Sequence, residues 1–212
     1  MKNKGKTIAT VGMLLLVVLV TIAVSYAFFT YSGQGTKENT ITTGNLTFVY
    51  DEKAQAGNGI TIHNAFPTQD VIGKTLSASN QMFEFQVIAT TQGSPITYEV
   101  IAFKEEDSTL AAGMAKIYLT SYDGAVETPI DTTLIGAENT VTTYDQLVDT
   151  KIEGQTGKTL YQETIPADQV DYSKTFRLRM WVSDRANTNT NGSWDFNEET
   201  FSVKVNVAAF NE

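Results

Sequence analysis

The sequence predicts an all-β protein, built as a β-sandwich or a barrel, and three observations support this fold class. Apolar and polar residues alternate with a period of two through most of the chain from residue 41 onward, which is the pattern of strands with one buried face. About eight such runs follow one another, and turn signals separate them. Helical periodicity is scarce, so few short helices are expected.

The individual strands follow from this alternation. The clearest is the last, in which one face carries Phe201, Val203, Val205, Val207 and Ala209. The other candidates, in chain order, cover residues 46–50, 59–63, 83–89, 96–100, 115–121, 158–165 and 176–182. In the run over 176–182, Phe176 begins the apolar face and Trp181 lies on the opposite face. The apolar faces together predict the core.

Turn signals separate these runs. Asp123-Gly124, Asn58-Gly59 and the Gly93-Ser94-Pro95 cluster are each typical of tight turns. Short helical pieces are predicted only within residues 107–114 and 142–149.

The N-terminus predicts export. Residues 1–6, MKNKGK, are basic, and residues 8–24 carry no charge. Ser25 and Ala27 then form the small-x-small pattern that a signal peptidase recognises, which predicts a cut between Ala27 and Phe28. The alternative is an uncleaved anchor, because about 20 apolar residues can span a bilayer. In both cases the positive flank stays inside, and the remainder is expected outside the cytoplasm.

Charge and composition exclude several classes of partner. The chain has 15 basic and 24 acidic side chains, a net charge of −9, and no cysteine. Removal of residues 1–27 takes away three lysines and no acid, which leaves 12 basic side chains against 24 acidic ones, or −12. Nucleic acid and anionic lipid select clustered basic charge, so neither is expected as a partner. Disulfides and thiolate chemistry are excluded.

No catalytic motif is present. His63 is the only histidine, and it lies in GITIHNAFP without a nucleophile motif around it. The sequence contains no HExxH zinc motif and no glycine-rich phosphate loop. We therefore expect a protein without enzymatic activity or an obligatory cofactor, and we interpret His63 as a strand-end or loop residue.

One segment matches a metal-binding template. Residues 187–198, NTNTNGSWDFNE, place Asn187, Asn189, Asn191, Asp195 and Glu198 at the ligand positions of a calcium loop. The flanking segments are strands instead of helices, and only two ligands are carboxylates. The alternative is a long hairpin loop that turns at Asn191-Gly192 and joins the strand at 175–184 to the one at 199–209.

The N-terminal region resembles a known family. The order of a basic head, an apolar run, SYAFFT and then NTITTGNLTF is similar to the start of the TasA and camelysin family of exported Gram-positive proteins. The family's cut lies in an aromatic-rich stretch, here Ala27, Phe28 and Phe29. Its N-x-[FI]-x-x-G-x-[LV] phrase falls here on residues 39–46. The closing RLRMWVSD and FSVKVNV also resemble the family's last strands.

The resemblance implies a jelly-roll β-sandwich that assembles into fibres of a biofilm matrix. In that family the signal peptidase SipW makes the cut, and the freed N-terminal segment of one subunit completes the sheet of the next. Here this implies a signal peptide over 1–27, a mobile donor-strand segment over 28–40 and a sandwich domain over 41–212. The donor residues would be Phe28, Phe29, Thr30 and Tyr31. Implied partners are identical subunits, head to tail, and an accessory matrix protein.

Exposed aromatic side chains give the same segment a physical reason to bind. Each large apolar side chain left in water costs roughly 1.5 to 3 kcal/mol relative to burial, and an extended segment gains main-chain hydrogen bonds at an open sheet edge. The simpler alternatives are that Phe28 and Phe29 only end the apolar segment, or that they fold back onto their own subunit as a first strand. Two other functions remain open: a monomeric surface adhesin, with or without calcium, and a secreted metalloprotease of the kind described among camelysin relatives.

Overall fold

The structure is a computed structural model, and it describes residues 29–30, 38–43, 46–52, 59–63, 66–78, 81–132, 141–152, 154–184 and 199–211, with the backbone alone for 29–52 and 210–211. The strands within these ranges are β1 (Phe29–Thr30), β2 (Glu38–Thr43), β3 (Leu46–Glu52), β4 (Gly59–His63), β5 (Pro67–Thr68), β6 (Met82–Thr90), β7 (Ile96–Lys104), β8 (Ala115–Tyr122), β9 (Glu127–Pro129), β10 (Thr142–Thr143), β11 (Val148–Ile152), β12 (Gln155–Ile165), β13 (Tyr172–Ser183) and β14 (Thr200–Asn211). The helical elements are α1 (Asp70–Gly73) and two 3-10 turns, Ala112–Met114 and Tyr144–Gln146.

These strands form two sheets. The first has the order β1-β14-β7-β12-β11, with β4 also paired to β14. The second has the order β10-β8-β13-β6-β3-β2, with β5 on β13 and β9 on β8. Every pairing is antiparallel except that of β5 with β13. The predicted all-β, jelly-roll-like antiparallel β-sandwich is therefore confirmed.

The core lies between the sheets and follows the predicted alternation. Phe83 and Phe85 of β6 and Phe176 of β13 are fully buried, with ring centroids 5.5 and 5.1 Å apart along the row. The predicted apolar face of β14 is buried from Phe201 to Ala209. Such continuous burial of large side chains is the main favourable term in folding.

The outer face of the second sheet is covered, which alternation alone does not predict. Residues 66–78 cross it, and Trp181 and Arg179 beneath them are only 2% and 4% exposed. The Arg179 Nε donates to the Leu76 carbonyl oxygen at 2.6 Å, and the Trp181 Nε1 donates to Asp70 Oδ1 at 3.3 Å. These polar contacts satisfy groups that would otherwise be buried without partners.

Charged pairs continue along the same face. Glu127 accepts hydrogen bonds from Arg177 at 2.5 Å and from Arg179 at 2.7 Å. Arg177 also pairs with Glu84 at 2.7 Å, and its guanidinium lies 3.5 Å from the ring centroid of Tyr122. The row joins β6, β8, β9 and β13 on the side of the sheet away from the core.

The turns agree with the sequence at two of the three signals. Asp123-Gly124 turns the chain from β8 to β9, with φ of +97° at Gly124, and Asp123 Oδ1 accepts from the backbone of Ala125 and Val126. Gly93, with φ of +74°, lies in the turn from β6 to β7. The third signal, Asn58-Gly59, is not tested, because Asn58 lies outside the described residues; Gly59 is the first residue of β4, as the predicted strand over 59–63 requires. It pairs with Lys204 so closely that an added Cβ would lie 1.9 Å from the Val203 carbonyl oxygen.

The short helical pieces predicted within 107–114 and 142–149 are present as three-residue 3-10 turns. One local prediction is corrected. The hairpin predicted between the strands at 175–184 and 199–209 is wrong, because β13 and β14 belong to different sheets. β13 lies between β6 and β8, whereas β14 pairs with β7, β4 and β1.

Candidate functional site

The outer edge of β14 is divided between two short strands. β4 pairs with the first part, from Thr200 to Lys204, and β1 pairs with the last part through Phe29 to Ala209 and Thr30 to Ala208. On its other side, β14 pairs continuously with β7 from Val203 to Asn211. Beside the last part of β14, the sheet therefore ends in a two-residue strand that begins at the second residue after the predicted cleavage point.

The residues behind this edge belong to the core. Ala209 is opposite Tyr98 of β7 as well as opposite Phe29 of β1. Ala209 and Tyr98 are 4% and 0% exposed, and both belong to the main core cluster. Directly opposite residues in antiparallel strands are the nearest cross-strand neighbours. The pairing of Phe29 with Ala209 therefore places β1 next to a core residue.

A polar network extends from the hydroxyl of Tyr98 to the partly exposed side chains of Glu163 and Lys174. The Tyr98 hydroxyl donates to Glu163 Oε2 at 2.9 Å and lies 2.7 Å from the Tyr172 hydroxyl, which also donates to Glu163. Lys174 Nζ lies 3.0 Å from the same carboxylate and donates to the Tyr161 hydroxyl. Because β7 and β12 are in one sheet and β13 in the other, the network fastens the sheets together.

The protonation states of this network are set by burial and hydrogen bonding. Burial raises the pKa of Tyr98 and of Tyr172 far above the ordinary value, so both hydroxyls remain protonated donors. Burial also raises the pKa of Glu163, but hydrogen bonds from Tyr172, Lys174 and Tyr98 outweigh it and hold the pKa below its usual range. Burial lowers the pKa of Lys174, and its bonds to Tyr161 and Glu163 more than reverse this. The network is therefore an ion pair between Glu163 and Lys174, with the neutral hydroxyls of Tyr98 and Tyr172 as donors to the carboxylate.

Several predicted site residues lie outside the described part of the chain. These are the cleavage residues Ser25, Ala27 and Phe28, the donor residue Tyr31, and the calcium candidates Asn187, Asn189, Asn191, Asp195 and Glu198. The signal peptide and the calcium loop therefore stay predictions. Phe29 and Thr30 are described through their backbone and form β1.

His63 and the acidic side chains form no recognisable centre within the described ranges. His63 is the last residue of β4, exposed and paired with Thr200, as expected of a strand-end residue. Within those ranges no three His, Asp or Glu side chains converge closely enough to hold a metal ion. The same ranges include no helix long and apolar enough to cross a membrane.

The sequence indicated an edge-binding segment but not the edge that it uses, and in the structure β1 pairs with β14 of its own chain, as in the fold-back alternative for Phe29. Ala208 and Ala209 appear in the sequence only as the end of an alternating run, and nothing there shows that the outer edge of this strand is shared by two short segments. That information lies in pairing between the two ends of the chain, which local pattern does not contain.

Comparison with known proteins leaves the chain without an assigned family. No family model matches it, and neither does any curated protein. Among solved structures, TmCBM61 in complex with beta-1,4-galactotriose is 9% identical over 89% of this chain and 90% of that one, with a TM-score of 0.25. The carbohydrate-binding module TmCBM27, studied for specific mannan recognition, is 8% identical over 87% and 89%, with a TM-score of 0.25. At these values neither likeness bears on what this chain does.

Proposed function

We propose that the protein is a secreted structural subunit that polymerises by donor-strand exchange into extracellular matrix fibres. The observation that supports this is the place of β1. It is two residues long, it begins at the second residue after the predicted cut, and it lies at the edge of β14 opposite Ala208 and Ala209. The same segment of another copy can occupy the same register.

The connection to the rest of the chain permits such an exchange. Residues 31–37 join β1 to β2, and seven residues extend to about 25 Å at most. A released β1 can therefore reach a neighbouring subunit while β2 stays in its own sheet. A donor strand in this register presents every second side chain to the row of Ala209 and Tyr98.

Exchange of this kind propagates. Each subunit donates at its N-terminus and accepts at β14, so the contact is head to tail and does not close on itself, which yields a filament. We infer that the subunit is exported by a Gram-positive bacterium, that a SipW-type signal peptidase cuts before Phe28, and that an accessory matrix protein assists assembly. The fibre is a structural material without an active site.

A pair of cysteines distinguishes exchange from self-pairing. Thr30 and Ala208 are directly opposite, so their Cα atoms are about 4.5 or 5.5 Å apart, within the range of a disulfide. The chain has no other cysteine. In protein beginning at Phe28, we expect Thr30→Cys with Ala208→Cys to give a ladder of linked subunits on a non-reducing gel after fibres form.

The matched control moves one cysteine along the same strand. Ser202 pairs with Thr61 of β4, so Thr30→Cys with Ser202→Cys is expected to give no ladder. If the first pair yields only intrachain disulfides in samples rich in fibres, the fibres are not joined by β1. If the cut protein forms no fibres under any condition, the structural role itself is wrong.

A further inference from the structure

A cavity of about 560 Å³ opens at the end of the sandwich opposite the turn between β12 and β13. Phe103 and Lys104 at the end of β7, the turn at residues 105–107, and Gln155 and Thr156 at the start of β12 line it. Its volume falls within the range of roughly 300–1,000 Å³ that is usual for small-ligand sites. The cavity lies away from the β1 edge, because β1 pairs with the opposite end of β14.

The aromatic residue Phe103 lines the cavity, and a glycine on the adjacent strand leaves room for its ring. Phe103 is partly buried and packs against a cluster on the outward face of the first sheet that includes Ile101 and Ile152. On the adjacent strand, an added Cβ at Gly157 would lie 2.8 Å from Phe103 Cε1 and 2.7 Å from Ile101 Cγ2. The ring can therefore rest on β12 only because residue 157 has no side chain, and Phe103 also lines the cavity.

The polar lining combines acceptors with donors. Glu105 pairs with Lys204 at 2.7 Å, while Glu106, Asp107, Gln155 and Thr156 are exposed. Carboxylates only accept hydrogen bonds when ionised, whereas the amide of Gln155 and the hydroxyl of Thr156 both donate and accept. Lys104 and Lys204 offset most of the negative charge of this lining.

Charge and geometry select among classes of ligand. Among the described residues, which include 105–107, no three acidic side chains lie close enough together to hold a metal ion. The cavity therefore does not fit a divalent cation. Its small net charge gives little hold on an ionic ligand. An apolar ring beside mixed donors and acceptors suits a neutral molecule that has both a C–H face and several hydroxyl groups.

We propose that this cavity binds a stretch of neutral polysaccharide. One sugar ring lies with its C–H face on Phe103, and its hydroxyl groups donate to Glu106 or Asp107 and accept from Gln155. The lining residues Glu106 and Gln155 are exposed, so the cavity is accessible from solvent and the rest of a longer chain can lie outside it. This site is independent of the proposed fibre contact, and a subunit that never polymerises would still have it.

The test is electrophoresis of the full chain, in a nonionic detergent without a sugar headgroup, through native gels that contain a neutral glucan, mannan or galactan. We expect at least one polymer to retard the wild-type protein relative to a polymer-free gel. Phe103→Ala should lose this retardation and Gln155→Ala should weaken it. Phe66→Ala, at an aromatic residue that is 82% exposed elsewhere, should behave as the wild type does.

Gln155 is exposed, so its variant is expected to fold, and thermal melting of each variant checks this. The proposal is overturned if none of the three polymers retards the protein, or if retardation is unchanged in both cavity variants. It is also overturned if retardation disappears at high salt, since a charged contact and not a neutral sugar would then be responsible.

Discussion

At the scale of single residues, the contact between Gly73 and Trp181 holds α1 against the second sheet. An added Cβ at Gly73 would lie 2.2 Å from Trp181 Cε2 and 2.3 Å from Cδ2, closer than any real contact. The indole is 2% exposed and cannot move outward without losing its bond to Asp70. The glycine is thus required by packing and not by backbone conformation.

We expect Gly73→Ala to lower the free energy of unfolding by about 1 to 3 kcal/mol, the usual cost of overpacking a filled site. Urea denaturation followed by tryptophan fluorescence measures it. Ile72→Ala, one residue earlier and 54% exposed, should change stability by no more than about 0.5 kcal/mol. Similar losses in the two variants would contradict the packing explanation.

Glu127 makes stability depend on pH. Burial raises its pKa, but hydrogen bonds from Arg179 and Arg177 outweigh burial and lower the pKa from 4.5 to about 2. A carboxyl whose pKa is lower in the folded state contributes stability that is complete above the unfolded value and is lost as the pH falls through the folded value. The contribution of Glu127 is therefore present above pH 4.5 and lost between about 4.5 and 2.

Glu127→Gln should consequently be less stable than the wild type at pH 7 and should lose less stability as the pH falls from 4.5 to 2. The upper limit of the difference is about 3.5 kcal/mol, at roughly 1.4 kcal/mol for each pKa unit, and solvent screening of this partly exposed carboxylate makes the expected difference smaller. Urea midpoints measured across this range test it. Glu106→Gln, at an exposed position, should follow the wild-type curve. A Glu127→Gln curve parallel to that of the wild type would show that the arginine contacts contribute nothing.

At the scale of elements, regular alternation predicted the strands well. The core faces of β6, β13 and β14 are those predicted from residues such as Phe83, Phe176 and Phe201. The segment that covers the outer face of the second sheet, residues 66–78, was not predicted, because α1 has only four residues and no helical repeat. Arg179 and Trp181 lie on the alternate face, and their burial depends on Leu76 and Asp70, 103 and 111 positions earlier.

The candidate site was predictable only in part, because it also depends on pairing between distant parts of the sequence. Aromatic residues after a signal-peptide pattern indicated an edge-binding segment, and β1 includes Phe29. The acceptor position at Ala208 and Ala209 and the division of the β14 edge with β4 arise from pairing across the whole chain. The cavity at Phe103 needs Gly157 on a different strand beside it, and no local pattern joins the two.

Because β1 forms only two residue pairs, we expect its removal to affect folding little. A chain that begins at Glu38 keeps β2 and loses residues 28–37. Its free energy of unfolding should fall by no more than about 3 kcal/mol, since each backbone hydrogen bond contributes roughly 0.5 to 1.5 kcal/mol. Thermal and urea unfolding against the chain that begins at Phe28 measure this. Loss of cooperative unfolding would mean that β1 is an integral part of the fold.

At the scale of the whole molecule, net charge opposes the proposed assembly. The part of the chain after residue 27 has a formal charge of −12, so copies of it repel one another at neutral pH and low ionic strength. Salt shortens the range of this repulsion, from about 10 Å at 0.1 M to about 3 Å at 1 M. Mild acid reduces it by protonating exposed carboxylates, whose ordinary pKa values are near 4. Glu127 keeps its charge through most of that range, so its ion pairs with Arg177 and Arg179 persist while the repulsion weakens.

We therefore expect the protein cut before Phe28 to sediment faster as the pH falls from about 7 to 5, and also as salt rises at pH 7. Analytical ultracentrifugation with negative-stain imaging of the same samples measures both. The chain that begins at Glu38 carries nearly the same charge but lacks β1, so it should remain monomeric throughout. Equal growth of the two chains would show non-specific acid aggregation, and no growth of either would show that charge does not control assembly.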